Sequence, residues 1–315
     1  MNEREYLIKA YALKAVSASF EVLARPLWNR NSPEVGREVL DVPYDTANRR
    51  KQSLDVFVPQ SDPPYPILTY IHGSAWHVLD KKSFRWLSKR YADRGYLVFN
   101  INHGLAPASR CEEQIRDVSK AVRWVYDHAA EYGGDNTRIF MGGDSGGAHH
   151  SALYAGIVSK PELQHDLGIE KVIPPECLKG LLLFYGVAEF ASAKHARFPM
   201  REMIGYGFIG YVPGEESEEF RRMAWLASPG PHIDKDFPPA YITAGELDPI
   251  CQESLVLDIL LTREGVPHQT HIFPKSRKFL NWVPLLGNHG FLCFPFSSMK
   301  RIAIRESMEF LDSLK

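Results

Sequence analysis

Between Ile139 and Ile157 the sequence admits few backbone paths. Ile139, Phe140 and Met141 form the short apolar run of a strand buried on both faces, and Ala148 to Ile157 is a run of small and apolar residues suited to a helix. The link between them is Gly143-Asp144-Ser145-Gly146-Gly147. A connection this short predicts a strand that turns at once into a helix. The glycines two positions either side of Ser145 let the two backbones approach with no side chain between them. Such a turn pushes the Ser145 hydroxyl outward. It also leaves the Gly146 amide unpaired at a helix N-terminus, where it can meet a developing oxyanion.

The surrounding chain alternates strand and helix. Pro66 to Ile71 reads as a buried strand ending in His72-Gly73-Ser74-Ala75-Trp76, and Gly95 to Asn102 as the next, after a helix around Lys82 to Arg94. Ile115, Val118, Val122 and Val125 mark a helix before the Ser145 strand. Leu181 to Tyr185, Pro239 to Ala244 and His268 to Phe273 continue the series, and Ile304, Met308 and Leu311 mark a closing helix. This rhythm predicts an α/β fold with a mostly parallel central sheet flanked by helices, whose ligands gather at the carboxyl ends of the strands. Arg37 to Tyr44 and Gln52 to Pro59 read as an antiparallel pair at one sheet edge. Residues 3 to 27 read as an amphipathic helix whose stripe of Leu13, Val16, Phe20 and Leu23 packs on a core or caps a site, with Pro26 ending the pattern. The expected organisation is an N-terminal cap segment, 1–36, and a main domain, 37–315, interrupted by a cap insertion at 186–236.

Charge narrows the partners. With 37 Lys and Arg against 38 Asp and Glu, the net charge of -1 gives no electrostatic case for nucleic acid or an anionic membrane, so a small molecule is the expected partner. Four cysteines without Cys-x-x-Cys spacing read as reduced thiols. No apolar run is long enough for a signal peptide or an integral membrane segment, which predicts a cytoplasmic protein. No metal or other cofactor is expected: His149 and His150 are adjacent on a helix and cannot face one ion together.

Ser145, Asp248 and His289 follow three strand ends in the order nucleophile, acid, base. With Gly133-Gly134-Asp135 and Arg138-Ile139 before the serine, Leu105-Ala106-Pro107 followed by Asp117 and Trp124, and Asp248-Pro249-Ile250 with Glu253, the chain resembles the hormone-sensitive-lipase-like carboxylesterase branch of the α/β-hydrolase superfamily, over about residues 50 to 312. The resemblance implies Ser145 as nucleophile, His289 as general base and acid, and Asp248 as its orienting carboxylate, with Glu246 the rival acid. It places an oxyanion hole at the amides of Gly73, Ser74 and Gly146. Trp76, Asp144, Tyr206 and Phe208 are candidate substrate-pocket residues.

Two departures shape the expectations. The family's His-Gly-Gly-Gly is His72-Gly73-Ser74-Ala75 here, which narrows the acyl space and points to short acyl esters, and its Tyr-Arg before Leu-Ala-Pro is His103-Gly104. The long stretch before His289 reads as a surface loop, with a lid or subunit contact, and hence a homodimer, as the alternative. Rival functions are amide or formamide hydrolysis by the same residues, and a non-catalytic homologue that binds a small molecule without turnover.

Overall fold

In the computed structural model, residues 3–47, 51–190, 203–210, 217–275 and 289–314 are described. Eight strands form one sheet: β1 (Arg37–Pro43), β2 (Ser53–Val58), β3 (Tyr65–Ile71), β4 (Leu97–Ile101), β5 (Gly134–Asp144), β6 (Leu178–Phe184), β7 (Ala240–Gly245) and β8 (His268–Phe273). Their order is β1-β2-β4-β3-β5-β6-β7-β8. β1 with β2 and β2 with β4 are antiparallel; every later pairing is parallel. The loops after β3, β5, β6, β7 and β8 therefore leave the sheet on the same side, with β5 in the middle.

Period-two burial separates two cores. Ile67, Ile71, Phe99, Ile139, Met141, Leu181 and Leu183 face one side, with α3 (Cys111–His128), α4 (Gly146–Ile157) and α7 (Cys251–Glu264). Leu68, Tyr70, Val98, Phe140, Leu182 and Phe184 face the other, with α2 (Arg85–Ala92) and α8 (Ser298–Ser313). Among the described residues there are also the short α5 (Pro161–Asp166) and α6 (Glu218–Ala227), the latter following a π-helical turn, Met203–Ile209. Residues 191–202 and 211–216 of the expected insertion, and 276–288 of the long loop before His289, lie outside the described residues.

The N-terminal helix α1 (Glu3–Trp28) corrects two expectations. Pro26 sits inside its last turn rather than ending it. The stripe of Leu13, Val16, Phe20 and Leu23 does not pack on the core but is exposed, and the buried residues of the helix are Tyr6, Ala10 and Glu21. The reason is that α1 docks on loops through polar contacts. Tyr6 bonds His77, Lys14 donates to the Ala106 carbonyl, Ser83 donates to Glu21, and Asn29 donates to the Lys82 carbonyl. A helix held by hydrogen bonds to loop backbone leaves its apolar side outward.

A buried ion cluster fixes the edge of the sheet beneath α1. Lys81, fully buried, donates to Asp41 and Asp55, each at 2.5 Å, and Arg85 donates to Asp55 at 2.8 Å. The Lys81 amide and carbonyl bond the side chains of Asn102 and Asn100 respectively, so the lysine is locked at both ends. Removing one partner of such a cluster leaves an uncompensated buried charge. Lys81→Met is expected to destabilise the fold by about 3 kcal/mol, read as a lowered urea midpoint; an unchanged midpoint would show that Arg85 alone neutralises Asp55.

Candidate active site

The turn after β5 has the strain expected of it. Ser145 has φ 51° and ψ -118°, conformational space that a side chain rarely enters. Close packing on both sides imposes this. A Cβ on Gly147 would lie 2.0 Å from the Ile71 carbonyl oxygen, and one on Gly143 would lie 2.4 Å from the same atom. Both positions thus require glycine, and the backbones of β3, β5 and α4 meet directly. The Ser145 amide donates to the Phe184 carbonyl at 2.8 Å, which ties the turn to β6.

Three predicted side chains come together above this turn. The Ser145 hydroxyl lies 3.0 Å from His289 Nε2, and His289 Nδ1 lies 2.9 Å from Asp248 Oδ2. A carboxylate oxygen can only accept, so Nδ1 carries the proton and Nε2 is left to accept from the serine. The other Asp248 oxygen accepts from the Ile250 amide at 2.8 Å, which fixes the carboxylate. Glu246, the rival acid, is exposed and accepts from the Lys275 amide instead. The Tyr185 ring, at φ 41°, packs 4.9 Å from the imidazole centroid and limits its rotation. Sequence pattern gave no sign of this contact.

The expected oxyanion donors need one correction. The Gly73 amide donates to Asp144 Oδ1 at 2.7 Å and is not available to a ligand. Among the described residues, the amides of Ser74, Ala75 and Gly146 donate to no protein acceptor. The two loops that carry them touch: a Cβ on Gly146 would lie 3.2 Å from Ser74 Oγ and 3.4 Å from the Trp76 nitrogen.

Asp144 is likewise corrected from pocket lining to internal brace. Its buried carboxyl accepts from Tyr70 at 2.9 Å, from Gly73, and from Tyr185 at 3.2 Å, so its oxygens are already engaged. Burial raises its pKa, opposed by the Gly73 and Tyr70 hydrogen bonds. Trp76 and Phe208 do meet, but as buried rings stacked at 4.8 Å, closed in by Phe190 and His149. They make a wall rather than an open lining. The Tyr206 side chain lies outside the described residues.

The loop carrying Ser74 and Ala75 is held from several directions. Trp76 Nε1 donates to His149 Nδ1 at 3.2 Å, and His149 Nε2 donates to the Ala227 carbonyl at 2.7 Å, at the end of α6. His77 Nδ1 donates to the Ala75 carbonyl at 2.7 Å and its Nε2 accepts from the Tyr6 hydroxyl at 2.6 Å. Gly207 of the π-helical turn lies against that pair, since a Cβ there would be 2.0 Å from the Tyr6 oxygen. His72 stacks on His103 at 5.2 Å. These histidines shape the loop; Tyr6 and Gly207 carried no sequence signal.

Residues 54–258, more than half of the chain, match the BD-FAE family. The chain belongs to the BD-FAE family. It is an α/β hydrolase of the hormone-sensitive-lipase-like type. This BD-FAE chain is 28% identical to esterase LipQ of Mycobacterium tuberculosis over 67% of its own length and 49% of LipQ, and 29% identical to carboxylesterase NlhH of the same organism over 64% and 62%. It thus matches about half to three fifths of the length of these relatives. Crystal structures of esterase B from Lactobacillus rhamnosis share the fold, one with a TM-score of 0.83 at 22% identity, covering 99% of this chain and 96% of that one. An esterase from Pyrobaculum calidifontis superposes with a TM-score of 0.69 at 19% identity over 96% and 93%.

Burial around the site has a pH consequence. Desolvation pushes His77, His149 and His232 down to about 4 and His103 to about 3, and drives His150 well below the usual range. An unfolded histidine titrates near 6.5, so between roughly pH 4 and 6.5 the unfolded chain binds more protons than the folded one. Stability is complete above this window and falls with the pH through it, by up to ~1.4 kcal/mol per pH unit for each histidine. Asp117 and Asp144, both raised by burial, act in the opposite direction, two carboxyls against five imidazoles. The urea midpoint at about pH 5 is expected to lie well below that at about pH 7; equal midpoints would mean that these imidazoles protonate without opening the fold.

Proposed function

We propose that this chain is a serine hydrolase that cleaves carboxylic esters through an acyl-enzyme on Ser145. The observation that carries the reading is the hydrogen-bonded series from Ser145 through His289 to Asp248. In the proposed cycle His289 Nε2 takes the hydroxyl proton as Oγ bonds to the ester carbonyl carbon. The amides of Ser74, Ala75 and Gly146 receive the oxyanion. His289 then gives its proton to the departing alkoxide, an alcohol leaves, and a water activated by the same imidazole releases the acid and restores Ser145. Asp248 keeps the imidazole in the required tautomer and stabilises it when charged. Every step uses side chains and amides of the chain itself.

The names of the relatives, esterase and carboxylesterase, favour an ester over an amide as substrate. The acyl group is short in this reading, because Trp76 stands beside the oxyanion loop with Phe208 and Phe190 filling the space behind it. We read α1 and the described part of 186–236 as a cap, supported by the contacts of Tyr6 and Gly207 with His77 and of Phe208 with Trp76. Four free cysteines favour a reducing compartment such as the cytoplasm. Among the described residues no helix is long and apolar enough to cross a membrane.

A fluorophosphonate is expected to label the wild type and not Ser145→Ala. Ser145→Ala and His289→Ala should each lower kcat by on the order of 10⁶, and Asp248→Asn by roughly 10⁴, with binding of ester retained. Unlabelled wild-type protein would instead support a binding protein without turnover. In a series of p-nitrophenyl esters the wild type should favour acetyl and butyryl over decanoyl chains, and Trp76→Ala should raise kcat/KM for the long chain relative to the short one by roughly tenfold or more. A wild-type preference for decanoyl esters would reject the short-acyl assignment.

A further inference from the structure

We infer that the Ser74 side chain is itself a catalytic group, its hydroxyl donating a hydrogen bond to the oxyanion alongside the backbone amides. The inference rests on the esterase reading of Ser145, which generates that oxyanion. The resemblance places glycine at position 74, so the hydroxyl is a departure from that pattern. Ser74 is 2% exposed, on the loop after β3 where it meets the turn after β5. A Cβ on Gly146 would lie 3.2 Å from Ser74 Oγ. The hydroxyl thus lies against the residue whose amide stands at the N-terminus of α4, next to the nucleophile.

A serine hydroxyl has one proton to give and two lone pairs with which to accept. Ser74 Oγ accepts from the Trp76 amide at 3.0 Å, a local bond two residues along the chain that holds the oxygen in place. Its proton is left over. Among the described residues it reaches no protein acceptor, and the oxygens of the same loop are taken: the Ser74 carbonyl accepts from the His77 and Val78 amides, and Asp144 is filled by Gly73, Tyr70 and Tyr185. A buried O–H without an acceptor is poorly satisfied in the resting protein. It gains most when an anion forms beside it, because a charge-assisted hydrogen bond is roughly twice as strong as a neutral one. The ester oxygen becomes such an anion only while Ser145 Oγ is bonded to the carbonyl carbon. The proton is shared with that oxygen and not transferred, and it returns to the unpaired state when the carbonyl re-forms.

The rival role for the same oxygen is to hold the turn at Ala75 and Trp76, whose φ values are 42° and 62°. Variants that keep the volume but lose the donor separate the two. Ser74→Ala removes proton and acceptor together, Ser74→Cys keeps the size but offers only a weak S–H donor, and Ser74→Gly combined with Gly146→Ala refills the gap with no donor at all. With p-nitrophenyl acetate all three should lose roughly 100-fold in kcat at nearly constant KM, because the bond exists only in the transition state. The Tm of Ser74→Cys should stay within a few degrees of wild type. Wild-type kcat in Ser74→Cys or in the double variant would show that filled space, not a proton, is required, and overturns the proposal. A loss carried by KM, or one matched by a large fall in Tm in every variant, gives the oxygen to the turn alone and overturns it as well. An active wild type whose Ser74→Ala form keeps its kcat removes the donor and leaves Ser145 standing, whereas a wild type that hydrolyses no ester removes both.

Discussion

The site depends on one place where three backbones touch without side chains between them. Gly147 rests against the Ile71 carbonyl, and Gly143 lies between that carbonyl and the start of α4. This contact brings the end of β3 and the turn after β5 to the same point, so the loop with Ser74 and Ala75 lies beside Ser145. A methyl group at either glycine would push them apart. It would also relieve the positive φ of Ser145, whose cost, of order 1–3 kcal/mol, is borne by the packing of α4 and the parallel sheet around it.

A second strained stretch lies in the neighbouring loop, where Ala75 has φ 42° and Trp76 φ 62°. Glycine adopts such angles freely, and the resemblance places glycine at position 75. The departure is tolerated because the loop is over-determined by its contacts. Ser74 Oγ accepts from the Trp76 amide, the Ser74 carbonyl accepts from His77 and Val78, and the Trp76 ring is packed on three aromatic neighbours. Asp144 contributes from the other side by binding Gly73. Residues of the expected cap, the nucleophile turn and the sheet thus converge on a loop of five residues.

The sequence made legible those features that local pattern controls. Strand order apart, the sheet followed from apolar runs at short intervals, and the glycine-flanked serine marked its own turn, while Asp248 and His289 were singled out by the order of three strand-end loops together with the family resemblance. What could not be read was anything decided by the direction of a side chain in space. Whether the Gly73 amide is free depends on where the Asp144 carboxyl points, and its neighbours Tyr70 and Tyr185 are distant in sequence. Lys81 and Asp55 form a buried pair across 26 positions that no spacing rule connects. The stripe on α1 was visible, but a helical repeat shows only that one side is apolar; it does not say which side faces the protein. That choice was made by Tyr6, Lys14 and Asn29, polar residues whose partners are loop atoms far along the chain.

Tyr6 reaches His77, and His77 holds the Ala75 carbonyl, one peptide from the amide proposed to receive the oxyanion. A shift of α1 by a fraction of a hydrogen-bond length would be felt at that amide, because the π-helical turn at Gly207 leaves no room for the Tyr6 hydroxyl to move aside. A surface helix with eight exposed large apolar residues is poorly tethered by burial, since its stability in water comes chiefly from packing one face.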